Sequence, residues 1–214
     1  FERTIFNDKY PNTNPITGQT LTPMPFTNRF VGFENNPAIA AGTPLPTLNL
    51  DRVFVLTTSS TCSASEAIIN GLRGADVEII QIGAGTCGKP YGFYPTDNCD
   101  TTYFTIQFTG ENNKGFGEYS DGFAPQNTID DARQPVRIAG CAVADDFTKR
   151  LGDASEGLLD TALSYRATGS CPAPSSINSV LGFAPTIATD IPEVKDMRIQ
   201  TMLEQNTILS DNMR

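Results

Sequence analysis

The chain has 214 residues, enough for one good hydrophobic core with an appendage. Its 24 acidic and 15 basic residues give a net charge of −9, which argues against nucleic acid or an anionic membrane as a partner. It contains no histidine, so it cannot itself supply a Ser-His-Asp triad or an HExxH zinc site. Because it opens at Phe1 and has neither a signal peptide nor a long apolar run, we expect a processed or excised chain without a transmembrane helix.

Residues 1–50 are predicted to form a long irregular arm. Seven of the 15 prolines lie there, and proline removes backbone donors and disfavours helices and central strands. The segment nevertheless carries too many aromatic side chains for a solvated linker. We therefore expect the arm to pack over the core or to contact a missing domain. Its aromatic residues are Phe1, Phe6, Tyr10, Phe26, Phe30 and Phe33.

A strand, a helix and a second strand are predicted next. Residues 52–56 form a short apolar run typical of a buried strand. A helix is expected from Ser63 to about Arg73, with Gly74 as its stop, and a second strand over residues 76–82. This order and these lengths indicate a βαβ crossover and a parallel strand pair, and thus an α/β fold.

Residues 83–100 are predicted to be a loop, and loops after parallel strands are where sites are built. Tyr91, Phe93 and Tyr94 either line a substrate groove or pack the loop down. Residues 101–108 alternate as a strand does, and a free edge there could pair with an extended peptide. The candidate substrate-binding residues are therefore Tyr91, Tyr94 and Thr105.

Two helices and a tail are expected in the last third of the chain. Residues 143–151 are amphipathic, and a second helix capped by Asp153 and Glu156 should run to about Arg166. Residues 172–185 have the composition of a linker, and one further helix is expected within residues 190–209. The predicted domains are the arm at 1–50, an α/β core at 51–171, and a linker and tail at 172–214.

The five cysteines indicate disulfides rather than a metal site. None forms a CxxC pair and no histidine completes a zinc set, so neither a metal nor another cofactor is expected. Disulfides fit an exported protein, whereas reduced, buried cysteines are the alternative. We expect the pairs Cys87–Cys99 and Cys141–Cys171, which leaves Cys62 as the odd thiol.

Ser63 and Lys89 are candidates for a catalytic pair. A serine hydroxyl needs a base to take its proton, and without histidine a lysine made neutral by burial can serve. Ser63 lies where a helix should begin, so the amide of Ala64 is a natural oxyanion donor. The other interpretation is structural: Ser63 and Glu66 make a good capping box, and Lys89 is an ordinary turn lysine.

The order of the motifs over residues 50–165 resembles the C-terminal processing (tail-specific) serine proteases. The similarity lies in Ser-Ala-Ser-Glu-Ala-Ile at a helix start, Thr-Cys-Gly-Lys after the second strand, and the later Gly122–Gln126 segment. By position, the resemblance implies that Ser63 is the nucleophile and Lys89 the general base. It also implies a crotonase-like and Clp-protease-like β-β-α spiral core, incomplete in this chain.

The implied function is a serine endopeptidase acting on exported proteins near their C-termini, in the periplasm, the cell envelope or outside the cell. Its partners would be polypeptide substrates and an upstream part of the same protein with a peptide-binding domain. The sequence departs from the family in three ways. Phe93 stands where a glutamine assists the lysine, cysteines flank the site, and an upstream Asp-Leu-Arg-x-Asn-Gly-Gly segment that gives a second oxyanion amide is missing.

Two other functions stay open. The chain could be a peptide-binding or scaffold module that keeps the protease fold without catalysis, as the Phe93 departure suggests. Alternatively, Cys62 or Cys87 could be a nucleophile, although no histidine is present to pair with a cysteine. As a peptidase, this segment alone is expected to be weakly active or inactive, because its second oxyanion donor is missing.

Overall fold

The computed structural model describes residues 1–31, 39–129 and 133–173. Within these ranges it has ten short strands and two helices. In chain order they are β1 (Arg3–Ile5), β2 (Arg52–Thr57), α1 (Ala64–Gly74), β3 (Glu78–Gly83), β4 (Tyr91–Gly92), β5 (Thr96–Asn98), β6 (Thr101–Tyr103), β7 (Phe108–Glu111), β8 (Phe123–Pro125), β9 (Val136–Ile138), β10 (Gly140–Cys141) and α2 (Gly157–Thr168).

The central feature is a parallel sheet in the order β10-β3-β2. β2 and β3 pair in parallel from Arg52 opposite Glu78 to Thr57 opposite Gly83, and α1 connects them. The predicted strand-helix-strand unit and its parallel pair are therefore confirmed. Because β2 and β3 run in the same direction, the chain that follows each of them leaves from the same edge of the sheet.

β3 is buried on both faces, which explains its nearly continuous apolar sequence. On one face, Ile79 packs in a cluster with Ile69 of α1. On the other face, Ile80 and Ile82 pack with Leu158 of α2. The structure is thus a mixed α/β fold in which both helices cover one central strand.

Part of the N-terminal segment is strand rather than irregular chain. β1 pairs antiparallel with β7, which also pairs with β4, giving a second small sheet in the order β1-β7-β4. Phe1 lies against Gly71 of α1, where an added Cβ would come within 2.5 Å of the phenyl ring. Most of residues 7–31 and 39–50 are exposed. The domain boundaries at residues 50 and 171 remain predictions.

The predicted helix at residues 143–151 is wrong. The segment forms turns, and the side chains of Phe147 and Leu151 are 90% and 96% exposed. Asp146 instead accepts hydrogen bonds from the amide and the hydroxyl of Thr148, 3.0 and 2.6 Å long. Such local side-chain bonds stabilise a turn in place of a helix, and they compete well where the apolar stripe meets no core.

The helix predicted to run from the Asp153–Glu156 cap to about Arg166 is confirmed as α2, with slightly different ends. Glu156 caps α2 by accepting from the amides of Leu158 and Leu159, and Gly169 ends the helix with φ of 73°. The pair Cys141–Cys171 is also confirmed, and it ties β10 to the chain after α2. The predicted helix within residues 190–209 lies outside the described residues. No helix in the described ranges is long and apolar enough to cross a membrane.

The predicted strand at residues 101–108 is divided in two. Residues 101–103 form β6, which pairs with β5 in a hairpin, and Phe108 begins β7. Thr105 lies between β6 and β7, outside both strands, and is exposed. The hairpin pairs Tyr103 with Thr96, the first residue of β5, so β6 has no strand partner beyond Tyr103 and ends before Thr105.

Candidate active site

Ser63 lies at the sharp turn between the loop after β2 and the first residue of α1. Its backbone has φ 55° and ψ −110°, a conformation that residues other than glycine rarely adopt. The residue is exposed, and its carbonyl accepts the hydrogen bond from the amide of Ala67 at 2.9 Å. Strained backbone of this kind costs about 1–3 kcal/mol of stability and clusters at functional sites.

Ala64 follows as the first residue of α1 and is exposed. The first amides of a helix have no acceptor within the helix, and they carry its partial positive charge. The predicted oxyanion donor therefore lies beside the Ser63 side chain at a helix N-terminus.

Glu66, on the first turn of α1, is fully buried with 0% exposure. One carboxylate oxygen, Oε2, accepts from the amides of Ser63 at 2.9 Å and of Lys89 at 2.8 Å. The other, Oε1, accepts from the hydroxyl of Thr86 at 2.5 Å and from the amide of Gly88 at 2.8 Å. The Glu66 half of the predicted capping box is formed, and the same carboxylate also holds a distant segment.

The segment held by Glu66 is the turn that carries Lys89. Because Ser63 and Lys89 donate to the same oxygen, their backbone nitrogens lie within two hydrogen-bond lengths of each other. The side chain of Lys89 is exposed, and no acidic side chain in the described ranges forms an ion pair with it. The structure thus brings the two backbones together and leaves the Lys89 ammonium group at the surface.

Gly88 makes this turn possible. Its φ is +82°, and a Cβ added there would lie 2.0 Å from the carbonyl oxygen of Ser120. A residue with a side chain fits neither the backbone conformation nor the space. The glycine before Lys89 is therefore required by the close approach of the 120–122 segment.

A disulfide joins the same two segments. Cys62 is bonded to Cys87, so the predicted pair Cys87–Cys99 is wrong and Cys62 is not a free thiol. Cys99 is the free cysteine and is exposed. The pair with Cys99 was expected to close the loop that carries Lys89, but the parallel β2–β3 pair brings Cys62 close to Cys87 instead. With both sulfurs in a disulfide, neither Cys62 nor Cys87 is available as a nucleophile in this structure.

The Gly122–Gln126 segment lies beside Thr86. The amide of Phe123 donates to the Thr86 hydroxyl, and the amide of Thr86 donates to the carbonyl of Phe123, both at 2.8 Å. β8 starts at Phe123, whose side chain is fully buried. The three sequence motifs that carry the resemblance therefore meet in one region.

The candidate substrate-binding residues are spread around this region. Tyr91 is exposed on β4, next to the Lys89 turn, and Thr105 is exposed between β6 and β7. Tyr94 packs its ring on Phe108 and shares a 3.0 Å hydrogen bond between its hydroxyl and the side-chain amide of Asn14. Its contacts in the described residues thus pack the loop down.

Tyr119 is a buried neighbour that the sequence did not single out. Burial, and to a smaller extent the negative charges of Glu2 and Glu66, together raise the pKa of its phenol to about 12. Its ring stacks on Phe123 with centroids 4.9 Å apart.

The sequence also gave no sign that Glu66 reaches the Lys89 turn, beyond the capping pattern that places it on the first turn of the helix.

The overall structure is similar to a crystal structure, at 2.00 Å resolution, of a Bacteroides fragilis protein whose name places it among the S41 proteases. The sequences are 20% identical, the TM-score is 0.51, and the match covers 79% of this chain. This chain spans 36% of the other protein's length. No protein-family model matches the sequence, and no curated protein matches it. The likeness is one of fold: this chain has a mixed α/β fold similar to that of an S41 protease.

Proposed function

We propose that this chain carries the nucleophile of a serine endopeptidase. The observation that supports the proposal best is the position of Ser63, exposed in a strained conformation at the N-terminus of α1. A capping serine does not need such a backbone, since cap residues usually lie in the extended region. A sharp turn that presents a serine hydroxyl at a helix start is a known way to build a nucleophile.

In the proposed reaction, the Ser63 hydroxyl oxygen attacks the carbonyl carbon of a peptide bond. Lys89, in its neutral form, takes the hydroxyl proton and later gives it to the leaving amine. The amide of Ala64 donates to the oxyanion of the tetrahedral intermediate. Water then attacks the acyl-enzyme ester, and the Ser63 hydroxyl is restored.

For this chemistry the side chain of Lys89 must be shielded from water. A lysine is a base only when neutral, which burial favours, and its side chain is exposed here. We infer that a bound substrate, or protein outside these 214 residues, covers Lys89 and supplies a second oxyanion donor. Absence of one such donor typically lowers the rate about 10²–10³-fold, so this chain alone should be weakly active or inactive.

We further propose that the substrates are exported polypeptides cleaved near their C-termini, selected by a peptide-binding domain in an upstream part of the same protein. The disulfides Cys62–Cys87 and Cys141–Cys171 support an oxidising compartment, because such bonds are rare in the cytosol. The periplasm, the cell envelope and the extracellular space are the candidate locations.

The test uses a fluorophosphonate probe, which phosphonylates activated serines, together with cleavage of an unfolded protein. The variants are Ser63→Ala and, as a matched control, Ser65→Ala, whose serine is also exposed on the first turn of α1. Slow labelling that Ser63→Ala abolishes and Ser65→Ala preserves supports the proposal. Equal labelling of both variants would contradict it.

A second candidate function is a non-catalytic peptide-binding module that keeps the fold. The exposed side chain of Lys89 favours it, because the base is not desolvated by the described residues. Ser63→Ala in the full-length protein separates the two functions: a peptidase loses turnover, whereas a binding module retains its affinity for unfolded polypeptides.

A further inference from the structure

We propose that Glu66 is a positioning residue whose carboxylate holds the nucleophile turn and the Lys89 turn in one fixed geometry. This inference rests on the proposed function. It concerns a fully buried side chain, and it assigns a purpose to the hydrogen bonds that Glu66 accepts from a distant segment, which a helix cap does not require.

The four hydrogen bonds of Glu66 come from two separate parts of the chain. The Ser63 amide belongs to the same helix start, whereas the donors on Thr86, Gly88 and Lys89 lie 20 to 23 residues away. A carboxylate has about four acceptor positions, so all of them are used. Each of the two oxygens has two donors, and Oε2 alone links the Ser63 turn to the Lys89 turn.

Glu156 shows what a glutamate does when it is a cap alone. It too is buried, with 5% exposure, and it accepts hydrogen bonds from two amides of its own helix, those of Leu158 and Leu159. Burying a carboxylate is unfavourable unless its hydrogen bonds are satisfied. Glu66 meets this requirement with donors from across the site, so its burial makes the position of one turn depend on the other.

This dependence matters for the proposed reaction. Ser63 is held in an unfavourable conformation, and its amide must be fixed for that conformation to persist. The base must also stay within reach of the nucleophile, since a displacement of about 1 Å can lower a rate about 10²-fold. The disulfide Cys62–Cys87 tethers the segments covalently, and Glu66 sets the direction of the amides on either side of it.

The experiment compares Glu66→Gln with Glu156→Gln in the intact chain. The glutamine side chain keeps one oxygen and replaces the other by an NH₂ group that cannot accept, so two of the four donors lose their acceptor. We expect the fluorophosphonate labelling rate of Ser63 to fall about 10²-fold in Glu66→Gln and to stay within about twofold in Glu156→Gln. Labelling of Glu66→Gln at the wild-type rate would overturn the inference.

Amide hydrogen exchange provides a readout that does not depend on activity. In Glu66→Gln we expect the amides of Gly88 and Lys89 to exchange at least tenfold faster, while amides in β3 keep their protection. In Glu156→Gln the Gly88 and Lys89 amides should be unchanged. If Ser63 is not labelled at all in the full-length protein, the proposed function fails. Exchange then decides the inference: unchanged protection of these amides in Glu66→Gln overturns it.

Thr86 offers a milder pair of variants if Glu66→Gln does not fold. Thr86→Val removes the hydroxyl that donates to Glu66, whereas Thr86→Ser keeps it. We expect slower Ser63 labelling in Thr86→Val, about tenfold or more, and recovery in Thr86→Ser. Equal rates in the two variants would count against a positioning role for this network.

Discussion

Cys62 and Cys87 form a disulfide that joins the residue before Ser63 to the turn that carries Lys89. The two residues are 25 apart in sequence, yet their Cα atoms are 5.3 Å apart. The bond crosses the edge of the sheet where β2 and β3 end, and the hydrogen bonds of Glu66 cross the same edge. A covalent and a polar connection thus hold the same two segments.

The two disulfides should contribute similarly to stability and differently to the site. They close loops of 25 and 30 residues, for which chain entropy gives about 3.5 kcal/mol each. We expect the double variants Cys62→Ala/Cys87→Ala and Cys141→Ala/Cys171→Ala to lose comparable free energy of unfolding in urea. Only the first should slow Ser63 labelling, and equal slowing in both would contradict a local role for Cys62–Cys87.

Thiol alkylation tests the disulfide pairing directly. All five cysteines lie in the described ranges, and Cys99 is the free one among them. Without reductant, we expect iodoacetamide to add one group per chain, at Cys99, and to add none to Cys99→Ser. Mass spectrometry of tryptic peptides measures this. An adduct at Cys62 in the unreduced chain would instead support the Cys87–Cys99 pairing expected from the sequence.

The strain at Ser63 predicts different stabilities for two substitutions at that position. Ser63→Gly should be more stable than Ser63→Ala by about 1 kcal/mol, because glycine tolerates a φ of 55° and alanine does not. Both should lose Ser63 labelling. Urea denaturation measures the difference, and Ser63→Gly less stable than Ser63→Ala would show that the conformation is not strained.

Gly88 and Gly115 form a matched pair for testing the Lys89 turn. Both have positive φ, +82° and +74°, but a Cβ at Gly88 would meet the Ser120 carbonyl, whereas one at Gly115 meets nothing within 4 Å. We expect Gly115→Ala to cost about 1 kcal/mol through backbone conformation alone and Gly88→Ala about 3 kcal/mol or more. Equal losses of stability in the two variants, measured by thermal or urea unfolding, would mean that the 120–122 segment can move away from an added Cβ at little cost.

The buried phenol of Tyr119 predicts a loss of stability at alkaline pH. Burial and the neighbouring carboxylates raise its pKa from 10.0 to about 12. Between these values the unfolded chain gives up a proton that the native chain keeps, so the free energy of unfolding falls as pH rises. We expect a loss of about 1 kcal/mol between pH 9 and pH 11 from this group.

Tyr119→Phe is the control for that pH dependence, because it keeps the ring that stacks on Phe123 and removes the ionisable group. Its stability should fall less over the same pH range, as measured by urea denaturation at each pH. An identical decline in the wild-type chain and in Tyr119→Phe would assign the effect to other groups.

Local sequence determined the elements whose signals are strong and short in range. The apolar run at residues 52–56, the capping pattern at Ser63 and Glu66, and the Glu156 cap each predicted an element that the structure contains. These signals are reliable because they depend on hydrogen bonds and side-chain spacing within one or two turns of chain. The 143–151 stripe failed for the complementary reason: an amphipathic pattern forms a helix when there is a core to receive it.

Tertiary structure alone decided how these elements form a site. The sequence marked Ser63 and Lys89 as candidates, but it could not show that the Glu66 carboxylate holds both of their amides or that Cys62 pairs with Cys87. Those contacts exist because β2 and β3 lie side by side in parallel, so the loops after them leave the sheet at one edge. Strand pairing joins residues that are distant along the chain. The spacing of residues within a short stretch of sequence does not indicate which distant residue becomes a neighbour.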